Sequence, residues 1–244
     1  MNWLKTWVRR LILREKADSE YYVNYLRNKG AAIGDHVRFY DPGNTFVDDS
    51  APWLLTMGDH VCITRGVTIL THDYGWSVVR RYPGSDGQLL GAQSPVTIGS
   101  NVFIGMQAVI TRGVTIGDHV IIGAGSVVTR DCESGFVYAG NPAKKICSLE
   151  QFREKRERAQ FSEAKGMARA YACRFGRKPE PEVFREYFHL FCTAEEAQSN
   201  PVFRRQMATG GNEAQCRAFL QNHPPRFSGF DAFLEACFSE ETPC

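Results

Sequence analysis

A repeat of six residues governs this chain. From Ile98 to Glu133 the sequence reads IGSNVF, IGMQAV, ITRGVT, IGDHVI, IGAGSV, VTRDCE. Ile98, Ile104, Ile110, Ile116, Ile122 and Val128 head the hexads, and Gly99, Gly105, Gly117 and Gly123 follow four of them. Fifth place in the first five is Val102, Ala108, Val114, Val120 and Ser126, always small or β-branched. So short a period cannot hold a helix-turn-helix unit; it fits one flat side of a parallel β-helix. An aliphatic residue at every sixth place points inward on successive sides, so the heads stack down a solenoid core, and three hexads complete one triangular coil. The β-branched residues suit short strands, and the glycines suit corners where φ turns positive. A sandwich of alternating strands would show a period of two with scattered turns.

The repeat extends upstream with interruptions. IGDHVR at 33–38 is an isolated hexad, and MGDHVC, ITRGVT and IL restore the pattern over 57–70. Ile33 and Met57 lie 24 apart, a multiple of six, so register is expected to survive the irregular stretch between them. Ile69 and Ile98 lie 29 apart, which is not a multiple, so residues must leave the coil. The expected excursion runs over about 74–91 and holds Tyr74, Trp76 and Tyr82 among glycines and a proline. A loop of this length is functional or disordered. This one begins two residues after His72, which favours function.

Ahead of the solenoid, residues 1–29 read as helical. WLKTWVRRLIL at 3–13 forms an apolar stripe with a basic face, suited to capping the open solenoid end or contacting an anionic membrane surface. A second helix over about 18–28 ends at Gly30, a C-cap residue. Beyond residue 148 the composition changes: twelve of the sixteen phenylalanines but only five of the 22 glycines lie there. Leu149 to Lys165, Glu182 to Phe191, Glu213 to Gln221 and Phe230 to Phe238 read as helices, making 148–244 a helical extension with no catalytic motif. The solenoid itself occupies 30–147.

Composition excludes several classes. A net charge of +2 without long runs of one sign does not suggest nucleic acid. No apolar stretch is long enough to span a bilayer and no cleavable signal is visible, so a cytoplasmic location is the expectation. The eight cysteines form no CxxC pair and are expected to be reduced, with no metal bound through them.

The hexads resemble the left-handed β-helix of the hexapeptide-repeat acyltransferases. The run GVTIGDHVIIGAGSVVTRD followed by AGNPAKKI is similar to the maltose/galactoside O-acetyltransferase branch, a pattern shared with sugar acetyltransferases of bacterial surface-polysaccharide synthesis. The resemblance covers about residues 30–147. It implies an all-β left-handed parallel β-helix, although parallel crossovers are otherwise nearly always right-handed, with the N-terminal helical segment and the C-terminal α-helical appendage attached. It also implies a homotrimer with active sites between subunits, and acetyl transfer from acetyl-CoA to a hydroxyl of a sugar or glycan precursor, without a metal.

Such a transfer needs a base for the acceptor proton, and histidine titrates near working pH. Of the six histidines, His36, His60 and His119 share one turn place in GDHV hexads, and His189 and His223 fall in the helical extension. His72, in TILTHDYGW, stands where the repeat stops, and it matches the family's histidine followed by a loop. It is the expected general base. Asp73 beside it is a candidate to orient the ring or bind a sugar hydroxyl, and Asn44 in DPGNTF a candidate to position acceptor or histidine. For coenzyme A, small residues allow close approach to backbone; the resemblance points to Gly105, Gly123 and Ala124 for the groove and to Thr129, Arg130, Lys144 and Lys145 near the phosphates. Tyr74, Trp76 and Tyr82 of the excursion are suited to stacking on a sugar ring. Three other functions compete: an antibiotic (xenobiotic) acetyltransferase, a metalloenzyme resembling γ-carbonic anhydrase, which would need three histidines on zinc, and a noncatalytic β-helix scaffold.

Overall fold

A computed structural model describes residues 14–239, so the amphipathic segment 3–13 lies outside the described residues. The chain forms two compact units, Met1–Phe152 and Arg153–Cys244.

The first unit is a parallel β-solenoid of very short strands. Its first coil holds β1 (Ala32–Ile33), β2 (Arg38–Phe39) and β3 (Phe46–Val47), and its second β4 (Leu55–Met57), β5 (Cys62–Ile63) and β6 (Thr68–Ile69). The third has β7 (Val96–Ile98), β8 (Phe103–Ile104) and β9 (Val109–Ile110), and the fourth β10 (Thr115–Ile116), β11 (Ile121–Ile122) and β12 (Val127–Val128). A hairpin of β13 (Phe136–Ala139) and β14 (Lys144–Ser148) follows. Each coil contributes one strand to each of three sheets, β1-β4-β7-β10, β2-β5-β8-β11-β13-β14 and β3-β6-β9-β12. All pairs are parallel except β13 with β14.

Register explains the hexad. Ile98 pairs with Ile116, Ile104 with Ile122 and Ile110 with Val128, so every head lies over the head three hexads away. These heads are at most 1% exposed. Fifth-place residues are equally buried, from Ala108, Val120 and Ser126 at 0% to Val114 at 2%, but they precede the strands and fill the prism corners from inside. The glycines after the heads serve a purpose other than positive φ. A Cβ on Gly105 would lie 2.5 Å from the Ala124 nitrogen of the next coil, and one on Gly99 2.5 Å from the Asp118 carboxylate. Positive φ falls later in the hexad, at Asn101, Gln107, His119 and Gly125.

Ile33 pairs directly with Met57, so the interval of 24 is one enlarged coil rather than four hexads. The additional residues leave through 3-10 turns at Pro42–Asn44 and Pro52–Leu54. Helix α1 (Ser19–Asn28) starts at Asp18, whose carboxylate accepts from Tyr21 N at 2.8 Å, and stops before Gly30 at φ +105°. It covers the first coil: Tyr22, Val23 and Leu26 join the solenoid core, with Tyr22 edge-on to Phe39 at 4.9 Å.

Between β6 and β7 the chain makes its excursion, which includes the short helix α2 (Trp76–Val79). Its neck is zipped by an antiparallel bridge of His72 with Gln93, by Asp73 N to Ala92 O at 3.0 Å and by Ser94 N to Thr71 O at 3.0 Å.

Helix α3 (Leu149–Phe175) runs from the end of the solenoid into the second unit, where α4 (Ala194–Ser199), α5 (Pro201–Met207), α6 (Glu213–Asn222) and α7 (Phe230–Phe238) follow. The expected helix over 182–191 is instead two 3-10 turns, Pro181–Phe184 and Phe188–Leu190. Phe184, Phe188 and Phe191 nevertheless point into a common cluster with Phe203 and Phe233. Helical spacing marked the buried face correctly, but that face does not require an α-helical hydrogen-bond pattern. A cavity of about 590 Å³ opens in this unit between Phe188, Met207 and Leu220, with Gln160 and His189 at its wall. Cys173 is disulfide-bonded, so the expectation of reduced cysteines fails for it; bridging depends on Cβ geometry, which sequence spacing does not show. No described helix is long and apolar enough to cross a membrane.

Candidate active site

His72 follows β6 on the edge between the third and first sheets, and Asp48 follows β3 on the same edge one coil earlier. The parallel ladder stacks them: Asp48 N donates to Ile69 O at 2.9 Å, bringing the carboxylate beneath Thr71 and His72. That carboxylate is nearly sealed, with its side chain 3% exposed against 21% for His72. One oxygen accepts from Ser50 N at 3.1 Å and Ser50 Oγ at 2.7 Å. The other accepts from Thr71 N at 3.1 Å, Thr71 Oγ1 at 2.5 Å and His72 Nδ1.

Burial alone would raise the Asp48 pKa, but donation from Thr71, Ser50 and His72 outweighs it and holds the carboxyl well below the usual carboxylate range. Asp48 is therefore an anion at neutral pH and accepts only. The proton of the shared bond therefore belongs to His72 Nδ1, which in a neutral ring leaves the lone pair on Nε2. Among the described residues Nε2 has no partner. This is the tautomer and orientation that a general base requires.

The aromatic residues of the excursion line up beside this imidazole. Tyr74 stands edge-on to His72 with ring centres 4.8 Å apart, and Trp76 follows at 5.8 Å from Tyr74. Tyr74 is 65% exposed, which leaves its face open to a ligand. Tyr82 is exposed farther along the loop and takes no part in this run of rings.

Two expected partners of His72 are otherwise engaged. Asp73 pairs with Arg112 at 2.5 Å and accepts from Gly75 N at 3.1 Å, tying the loop neck to the third coil; Arg112 holds its carboxyl below the usual range. Asn44 donates through Nδ2 to Asp41 at 2.8 Å, within the 3-10 corner. The ring is oriented by Asp48 instead, which sequence reasoning missed. A signal was present: Asp48 precedes His72 by 24 residues, the same interval that separates paired Asp35 and Asp59.

The expected coenzyme A residues fall on two edges. Thr129 and Arg130 follow β12 on the same edge as His72, two coils on. Gly105, Gly123 and Ala124 follow β8 and β11 on the edge between the second and third sheets, so one chain does not bring them to His72. Gly105 and Gly123 donate their N–H groups to Ile122 O and Tyr138 O at 2.8 Å, which holds the coils together. Ala124 and Gly125 are exposed, and a Cβ on Gly125 would meet nothing within 4 Å. Lys144 and Arg130 are exposed and unpaired among the described residues, whereas Lys145 pairs with Glu133 at 2.7 Å.

His36, His60 and His119 occupy turn positions with φ of 59°, 56° and 56°. His36 stacks on His60 at 4.6 Å and His119 Nδ1 lies 2.8 Å from Asn101 Nδ2, so they form a corner ladder away from His72. Among the described residues no group of three or more His, Cys, Asp or Glu side chains is placed to hold a metal ion.

The model of a bacterial transferase hexapeptide family, six repeats, matches residues 95–130. Protein CapG of Staphylococcus aureus is 44% identical over 132 residues, which span 53% of this chain and 73% of that protein. Among solved structures, a hexapeptide-repeat-containing acetyltransferase from Vibrio cholerae is 23% identical with a TM-score of 0.44, over 60% of this chain and 89% of that one. A galactoside acetyltransferase in complex with coenzyme A is 28% identical with a TM-score of 0.41, over 60% of this chain and 81% of the other.

Proposed function

The chain belongs to the bacterial hexapeptide-repeat transferases, and on that premise we propose that it is an acetyl-CoA-dependent O-acetyltransferase acting on a sugar hydroxyl. The observation that carries this reading is the buried, ionised Asp48 on Nδ1 of His72, at the mouth of an aromatic loop. His72 Nε2 takes the proton of the acceptor hydroxyl as its oxygen attacks the thioester carbonyl. Asp48 stabilises the imidazolium that results, and His72 returns the proton to the departing thiolate. Thr71 and Ser50 fix Asp48, and Tyr74 and Trp76 offer faces for the sugar ring.

Ala124, Thr129, Arg130 and Lys144 are the residues we assign to acetyl-CoA, with Lys145 nearby and Gly105 and Gly123 shaping the corner beneath the arm. Because Ala124 and His72 lie on different edges, a second copy must present one to the other. A left-handed prism associating as a homotrimer, with three sites between neighbours, meets that need. Calorimetric titration of acetyl-CoA into the purified protein, beside a native mass measurement, tests the reading. It predicts saturable binding at one site per chain in a trimer; a monomer, or a protein that does not bind acetyl-CoA, contradicts it.

A further inference from the structure

The loop that opens after His72 carries a cation without an anion. Arg80 lies just beyond α2, its guanidinium 4.5 Å from the centre of the Trp76 ring. Its Nε is buried and has no hydrogen-bond partner. Among the described residues no carboxylate pairs with it, nor with Arg81 beside it, which donates to Ser77 O at 3.4 Å, whereas Arg112 is matched by Asp73 at 2.5 Å and Arg65 by Asp41 at 3.3 Å. A buried donor left unsatisfied is costly, more so on a charged group, and an unpaired guanidinium of this kind in a folded protein requires an explanation.

Its position supplies one. Trp76 beneath Arg80 neighbours Tyr74 at 5.8 Å, and Tyr74 neighbours His72 at 4.8 Å. The unpaired cation and the base thus flank the same pair of aromatic rings. Stacking on the indole restricts the guanidinium before any ligand arrives, and its planar fork matches a carboxylate better than an ammonium would.

We propose that Arg80 reads a carboxylate on the acceptor, so that the substrate is an acidic sugar, such as a uronic acid residue. The acceptor lies along Tyr74 and Trp76 with a hydroxyl at His72 and its carboxylate toward Arg80. This rests on the acetyl-transfer reading above. A phosphate of coenzyme A is the other anion able to meet this guanidinium, but Arg130 and Lys144 already serve that ligand.

The test titrates the full-length protein with 4-nitrophenyl β-D-glucuronide, with 4-nitrophenyl β-D-glucoside and, separately, with acetyl-CoA, in wild type, Arg80→Gln and Arg80→Lys. One charge-assisted contact predicts that the glucuronide binds roughly tenfold or more tightly than the glucoside. Arg80→Gln should erase that preference, Arg80→Lys should restore part of it, and acetyl-CoA affinity should not change in either. Equal affinity for the two glycosides, binding of neither, a preference that survives Arg80→Gln, or weakened acetyl-CoA binding in that variant would each overturn the proposal. Acetyl-CoA titration of the wild type reports on the transferase reading by itself, so the two failures remain distinguishable.

Discussion

Replacing Asp48 by asparagine removes one charge and almost no volume, which makes it a sharp probe of the site. The two carboxylate oxygens accept five hydrogen bonds, two from Ser50, two from Thr71 and one from His72. An amide has one acceptor oxygen. With that oxygen toward His72, its NH2 group meets the Ser50 N–H, donor against donor. Flipped, the NH2 group meets Nδ1 and selects the tautomer that carries its proton on Nε2, where no proton can be accepted. In both orientations the imidazolium formed during reaction loses its counter-charge. Turnover should fall by about 10²–10⁴. Losing the charge-assisted bonds and leaving one donor unsatisfied should lower stability by roughly 2–4 kcal/mol. Thiol release from acetyl-CoA with a glycoside acceptor measures the first, and urea unfolding the second. Acetyl-CoA affinity should be unchanged. A folded Asp48→Asn protein with turnover within about threefold of wild type, well inside the scale of a general-base contribution, would refute the assigned role of Asp48.

Stability should depend on pH through the same residue. Its native carboxyl is held below the unfolded value, so its contribution is complete above about pH 4 and disappears as pH falls through the native pKa. Urea melts between pH 6 and 3 should show wild type losing more stability than Asp48→Asn, by up to about 1.4 kcal/mol per pH unit; parallel curves would contradict this. The two classes of corner glycine should also separate. Gly105→Ala forces a Cβ to within 2.5 Å of backbone and should cost roughly 1–3 kcal/mol, with Gly105→Asn no better. Gly125 has φ +68° and open space, so Gly125→Ala should cost about 1–2 kcal/mol while Gly125→Asn recovers much of it.

The solenoid was legible because its physics is periodic. One inward aliphatic residue per flat side leaves a mark every six residues, and Ile98 to Val128 carry it without interruption. The reason for the glycines was not legible, since crowding by the next coil at Gly105 and positive φ at Gly125 leave the same letter in the sequence. The interval from Ile33 to Met57 fitted four hexads numerically, yet it is one coil enlarged at two proline turns. Such enlargement hid Asp48, whose tie to His72 depends on coil stacking that an irregular coil obscures. His72 itself stood out because the repeat breaks just after it. Arg80 left no pattern, for an unpaired guanidinium becomes evident only when its neighbours are known.

The most direct test of the account is acetyl transfer by His72→Ala, followed as thiol release from acetyl-CoA in the presence of 4-nitrophenyl glycosides. His72 lies outside the solenoid core, so the variant should fold, assemble and bind acetyl-CoA like the wild type. Turnover should fall by about 10² or more, the scale of a lost general base. Wild-type turnover in a folded His72→Ala protein would contradict the central claim.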